Sequence, residues 1–315
     1  AHPERDPLLV LRAAAATAQA GLRLAPHAVE RLARDSAPMP VPWPAPARDA
    51  LVSLLGAGRP AVPVWEALDQ AELWSRLLPD WDIVRSAPQR NPVHRFTVDR
   101  HLLEAAVQAS AYTRRVERPD LLLVGALLHD IGKGRPGDHT DNGVEIVARL
   151  APRLGFSMDD TDTLVALVRH HLLLTETATH RDLEDPATVA AVAAAVGDQD
   201  TLDLLHALTE ADALATGPAA WSAWKKALID DLVARTRAVL AGRPRPVDPR
   251  TTAAQVRLSE AVRATSEQGV AVLVDDDEAS GTTTVTVAAP DRTGLMSTVA
   301  GVLSLHGTLV PVIDL

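Results

Sequence analysis

LLLVGALLHDIG, residues 121–132, with Lys133 directly after it, is the stretch on which the reading of this chain turns. Its apolar positions 121, 122, 124, 127 and 128 fit a buried helix of about eleven residues, which Gly132 would stop. The helix ends in His129-Asp130, two metal-capable side chains at the rim of a core. Neither is cheaply removed from water without a partner, so they either satisfy each other or hold a cation.

Moving outward, six of the eleven histidines (94, 101, 129, 139, 170 and 171) crowd into residues 94–171, where even spacing would place fewer than three. In order the pattern is His101, His129-Asp130, His139, His170-His171, and then Asp212 within TEADAL. Imidazole and carboxylate together suit Mn, Fe, Zn or Mg, and a carboxylate between histidines can bridge two ions that activate water and neutralise a phosphoryl oxygen. Lys133, four residues after His129, would set a cation beside the same phosphate. A single buried histidine is more often a hydrogen-bonded core residue than a ligand. Only the joint pattern outweighs that. His94 fits either role, while His2, His27, His180, His206 and His306 are assigned to surface or packing.

The surrounding chain is mainly helical. Apolar spacing predicts helices over 7–35 (a second one opening at Pro26), 47–55 and 64–78, with Trp65, Trp74 and Trp81 as core aromatics. Five prolines in nine residues, Pro38–Pro46, make an extended connector in which Trp43 packs on a neighbour; its alternative is a ligand for a proline-reading domain. Helices follow over 97–114, 120–131, 140–150, 161–174, 187–196, 201–214 and 220–240, with Pro186 in a first turn and Asp198 or Asp200 as a cap. After the proline-rich linker 243–249 come an amphipathic helix over 251–267, a β-hairpin from 270–274 and 282–288, and a helix over 295–306. Residues 1–90, 91–243, 244–269 and 270–315 are therefore read as a helical segment, an all-helical metal-site domain, a linker with a helix, and a truncated α+β piece.

Bulk properties narrow the function. The net charge of −10, from 31 basic and 41 acidic residues, argues against nucleic acid or anionic lipid as the main partner. With no cysteine there is neither a disulfide nor a thiolate zinc site. No apolar run reaches the roughly 18 residues of a membrane helix. With no secretory signal and Ala1 in place of Met, the chain is expected to be a cytoplasmic piece of a longer protein.

His101, HDIGK (129–133), His139, His170-His171 and Asp212 together resemble the HD superfamily of metal-dependent phosphohydrolases. The runs NPVHRFTVDRHLLEA (91–105), HDIGKGRPGDH (129–139), LVRHHLLL (167–174) and WSAWK (221–225) are similar to something narrower, the uridylyl-removing region of the bifunctional PII uridylyltransferase family. PDRTGLMSTVAGVLSLHG (290–307) resembles the opening of the ACT domain that follows there, and the final GTLVPVIDL departs from it. The resemblance implies hydrolysis of a nucleotide, UMP or in actinobacterial relatives AMP, from a tyrosine of the PII protein when glutamine is high. It implies a first ion on His101, His129, Asp130 and Asp212 and a second on His139, His170 and His171, with Asp130 shared. Mn or Mg is expected ahead of Fe or Zn. Asp130 and Lys133 would carry the chemistry, and Asp291–Gly294 would mark the amino-acid site of the ACT piece. The sequence contains no Gly-Ser dipeptide, so the family's transferase half is expected to be missing. Competing readings are a (p)ppGpp hydrolase, a cyclic-dinucleotide phosphodiesterase and a non-catalytic regulatory fragment.

Overall fold

A computed structural model of the chain describes residues 2–89, 95–217, 220–242, 270–277, 282–290 and 294–305. The chain is mainly α. Helix α1 (Leu9–Gln19) buries the i, i+3, i+4 face Val10, Leu11, Ala14, Ala15 and Ala18 against α3 (Ala45–Gly56). Between them α2 (Pro26–Asp35) opens on its proline, whose missing N–H is not needed at a first turn. The predicted helix over 64–78 is two helices, α4 (Ala61–Gln70) and α5 (Leu73–Leu77), because Glu72 adopts a left-handed backbone at φ 57°. A 3-10 turn, Pro79–Ile83, follows. Trp65, Trp74 and Trp81 are core residues, with Trp65 stacked on Trp74 at 3.7 Å and edge-on to Trp81 at 5.1 Å.

The proline connector packs as expected. Trp43 is buried and its backbone N–H donates to the Arg153 carbonyl at 2.8 Å, while the Arg48 guanidinium donates to the Gly155 carbonyl at 2.5 Å. The segment is thereby tied to the turn between two later helices, α8 (His139–Arg153) and α9 (Met158–His170).

The remaining helices are α6 (Val98–Ala109), α7 (Pro119–Leu128), α10 (Leu173–His180), α11 (Pro186–Val196), α12 (Gln199–Thr216) and α13 (Ala223–Leu240). Side-chain caps set several starts: Asp138 for α8, a Ser157–Asp160 capping box for α9, Asp185 for α11, Asp198 for α12 and Ser222 for α13. Helix α7 buries every residue from Leu121 to Leu128, as a helix apolar on all sides must, and is wrapped by α3, α6, α9 and α12. The helix expected through residue 174 instead ends at His170. The His171 ring takes the Val168 carbonyl of the last turn, and His171-Leu172 form the bend into α10. Buried side chains from α1–α5 and from α6–α13 belong to one continuous hydrophobic core.

Toward the C-terminus, β1 (Ala271–Asp277) and β2 (Thr282–Ala288) pair antiparallel with Val272 opposite Val287 and Val274 opposite Val285, the expected hairpin. Helix α14 (Leu295–Leu305) follows. The helix expected over 251–267 and the residues His94, Asp291 and His306 lie outside the described residues. Among the described residues no helix is long and apolar enough to cross a membrane.

Candidate metal centre

Five elements converge on the end of α7. Helix α6 supplies His101, the residues just past α7 supply His129 and Asp130, α8 opens on His139, α9 is followed by His171, and α12 supplies Asp212. His101, His129, Asp130 and His171 are all buried, whereas His139 and Asp212 sit at the edge of the site. The turn Ile131–Gly134 lies so close to α8 that a Cβ on Gly132 would stand 2.0 Å from the His139 carbonyl oxygen and 2.5 Å from the Gly143 nitrogen. Only glycine admits that approach, which brings His139 back over Asp130.

The ligand atoms form two groups sharing one carboxylate. In the first, His101 Nε2 is 3.3 Å from His129 Nε2 and 3.0 Å from Asp212 Oδ1, and His129 Nε2 is 3.5 Å from Asp212 Oδ1. Asp130 Oδ2 joins at 3.4 Å from His129 and 3.7 Å from His101. In the second, Asp130 Oδ1 faces His171 Nε2 at 3.5 Å and His139 Nε2 at 3.8 Å. Ligands at about 2.0–2.2 Å from a divalent ion stand roughly 3.0–3.6 Å from one another, which is the spacing of the first group. Lys133 Nζ caps the shared carboxylate at 2.5 Å from Oδ2.

Hydrogen bonding at the far side of the rings fixes where their lone pairs point. The Nδ1 atoms of His129 and His171 lie 2.9 Å and 2.6 Å from the carbonyls of Ala126 and Val168. A carbonyl only accepts, so each Nδ1 carries the hydrogen and Nε2 is left to bind at the centre. Burial holds the His171 imidazole below its ordinary pKa, against the pull of Asp130, so the ring is neutral. Its Nε2 lone pair therefore faces Asp130 Oδ1, a buried oxygen without a hydrogen-bond partner. Two acceptors aimed at each other with no hydrogen between them are satisfied by a cation, and the residues present fit one.

Charge balance at the first group points the same way. Burial opposes a proton on His129, yet the Asp130 and Asp212 carboxylates outweigh it and hold the ring's pKa up to about 10. Burial likewise opposes ionisation of Asp130 and of Asp212. His129, with Lys133 at Asp130 and His101 at Asp212, keeps both carboxylates ionised well below their usual range. A concentration of negative charge that raises a buried imidazole's pKa this far also suits a divalent cation.

Of the residues expected from sequence, His101, His129, Asp130, His139, His171, Asp212 and Lys133 are brought together. His170 is not: it is half-buried on α9, outside both groups, with a pKa lowered by burial and by Arg169. Adjacent residues on a helix point about 100° apart, so only one of the pair reaches the centre. Gly294 is exposed at φ 82°, a left-handed turn before α14. His206, assigned to packing, pairs with Asp230 at 3.1 Å. The carbonyls of Ala126 and Val168 were not anticipated. Their signal, three residues before a histidine at a helix end, is too common to stand out in a sequence.

Residues 98–217 match the HD domain family. The whole chain is 53% identical to a bifunctional uridylyltransferase/uridylyl-removing enzyme of Streptomyces coelicolor, covering 42% of that protein. Enzymes of the same name are 48% identical in Mycobacterium tuberculosis (98% of this chain, 38% of the relative) and 41% identical in Corynebacterium glutamicum (69% of this chain, 32% of the relative). The chain thus spans about two-fifths of the length of the first two of these relatives. It carries an HD domain over residues 98–217 and is similar along its whole length to part of the bifunctional uridylyltransferase/uridylyl-removing enzymes.

Proposed function

We propose that this chain is a metal-dependent phosphodiesterase that removes a nucleotide, UMP or alternatively AMP, from a modified tyrosine of the PII signalling protein. The observation that carries the reading is the Asp130 carboxylate, with Oδ2 among His101, His129 and Asp212 and Oδ1 unpartnered before His139 and His171. The names of the relatives, uridylyl-removing enzymes, support UMP as the group removed. Divalent ions held there, Mn or Mg ahead of Fe or Zn, supply Lewis acidity that activates water and neutralises phosphoryl oxygens. The chain's own residues do the rest. His129 and His171 are locked in one tautomer by the Ala126 and Val168 carbonyls, so no reorientation accompanies turnover. Lys133, partly exposed beside Asp130, presents an ammonium to a phosphoryl oxygen at the mouth of the site. Its pairing with Asp130 also keeps the shared carboxylate from swinging out of line. Glutamine control would reside in the segment that begins with β1.

The test is mass spectrometry of PII carrying UMP, and separately AMP, incubated with the chain and Mn²⁺, beside an Asp130→Asn variant. Loss of one nucleotide mass with the parent and not with the variant is the expected result. If both modified forms stay intact while bis(p-nitrophenyl) phosphate is cleaved, the centre is a phosphodiesterase with another substrate. If neither is cleaved at any Mn²⁺ concentration, the reading fails.

A further inference from the structure

The turn that carries Lys133 has two walls. One is the start of α8, already described at Gly132. The other is the 3-10 turn Pro79–Ile83, which belongs to the helical segment before the HD domain and has no ligand of its own. A Cβ on Gly134 would stand 2.1 Å from the Ile83 carbonyl oxygen, 2.4 Å from Ile83 Cγ2 and 2.7 Å from the Ile83 carbonyl carbon. Gly134 does not have a positive φ, so its backbone would accept any residue. Only the contact with Ile83 requires glycine there.

The wall is itself anchored. Trp81, two residues before Ile83, is buried in the tryptophan cluster, and its Nε1–H donates to Asp69 Oδ1 at 3.2 Å. Asp80 accepts from Arg149 Nη2 on α8 at 2.6 Å and faces Arg135, next to Gly134, at 3.9 Å. The turn between the walls is short and internally bonded: Lys133 N–H donates to the Asp130 carbonyl at 3.0 Å and Arg135 N–H to the Gly132 carbonyl at 3.1 Å. A turn of four residues fixed at both ends holds the Lys133 backbone where Nζ reaches Asp130 Oδ2 at 2.5 Å.

We propose that the Pro79–Ile83 turn is the backing wall of the metal centre, and that Gly134, seated against Ile83, is a positioning residue that holds Lys133 on the shared carboxylate. The helical segment before the HD domain then takes part in turnover without touching substrate. The consequence for turnover rests on the phosphodiesterase reading, whereas the consequence for Lys133 does not.

Lys133, Lys225 and Lys226 are the chain's only lysines, so amine labelling with peptide mass spectrometry reads Lys133 against two internal references. In the parent, Lys133 should react more slowly than Lys225 and Lys226. In Gly134→Ala its rate relative to those two should rise at least about threefold, as a charge-assisted contact is loosened. Asp80→Asn, which unpins the wall without a steric clash, should raise it in the same direction and covers the case of a Gly134 variant that does not fold. With bis(p-nitrophenyl) phosphate and Mn²⁺, Gly134→Ala should lower kcat about tenfold at unchanged bound metal, and should change it less than about twofold in a Lys133→Met background. An unchanged relative labelling rate of Lys133 in both variants overturns the proposal, as does an equal loss of kcat with and without Lys133. If labelling responds but the parent cleaves no phosphodiester, the positioning stands and the phosphodiesterase reading falls.

Discussion

Glu104 offers a quantitative test of how far the HD helices depend on the segment before them. Its carboxylate lies on α6, one turn after His101, and only 4% of the side chain is exposed. Arg59, from the loop between α3 and α4, places Nη1 2.7 Å from both of its oxygens; Arg100 donates from Nε at 2.9 Å and Nη2 at 2.7 Å. Glu104→Gln keeps the volume, removes the charge and turns an amide NH₂ toward guanidinium donors. Hydrogen bonds to a charged group contribute about 1.5–3 kcal/mol each when desolvated. Arg59 is 60% exposed and Arg100 30%, so solvent screening discounts the total to about 2–3 kcal/mol. At roughly 2–4 °C per kcal/mol for a domain of this size, Tm should fall by about 4–12 °C. The assay is thermal unfolding of the parent, Glu104→Gln, Arg59→Met and the double variant. The two single losses should overlap in the double variant by at least about 1 kcal/mol. A Tm change below about 1 °C, or fully additive losses, would refute the account of Glu104 as a clamp between the two helical segments.

Three further outcomes follow from the geometry. Mn²⁺ at about a thousand times its Kd should stabilise the chain by about 4 kcal/mol, raising Tm by roughly 8–16 °C in a scan with and without chelator. Asp130→Asn should abolish most of that rise, and an unaltered rise would mean that the ion binds elsewhere. Elemental analysis should find that His171→Ala loses about half of the parent's bound metal and His170→Ala none, since only the His171 ring reaches the shared carboxylate; the opposite pattern would restore His170 as the ligand. Tyr112, the chain's single tyrosine, is pushed up to about 12 by burial first and then by Glu210. Absorbance at 295 nm should show little tyrosinate at about pH 10.5 in the folded chain and more than half in urea. Because the folded pKa lies above the unfolded one for an acid that is neutral when protonated, folding stability should decline between about pH 10 and 12.

Much of the architecture was legible because helix-forming patterns are local. The all-apolar α7, the proline at the start of α2 and of α11, and the Asp198 cap of α12 are each written in a few neighbouring residues. The breaks were not: the left-handed Glu72 and the bend at His171-Leu172 interrupt apolar patterns that run on across them. In both cases the spacing records only which face is buried.

For the metal centre, the sequence alone determined the chemistry. A histidine-rich run with an adjacent aspartate, in a chain without cysteine, restricts any ion to imidazole and carboxylate donors, and the spacing of His129, Asp130 and Lys133 is fixed by one helix end. Tertiary structure alone decided the grouping. Which of His170 and His171 faces Asp130 depends on how α9 is rotated against α7, a choice made by Leu164, Leu167 and Val168 in the core. That Gly134 must be glycine, and that Arg59 must reach Glu104, follow from contacts across 51 and 45 positions of chain. Such contacts leave no local pattern, because sterics and charge pairing act through space and the sequence records only order.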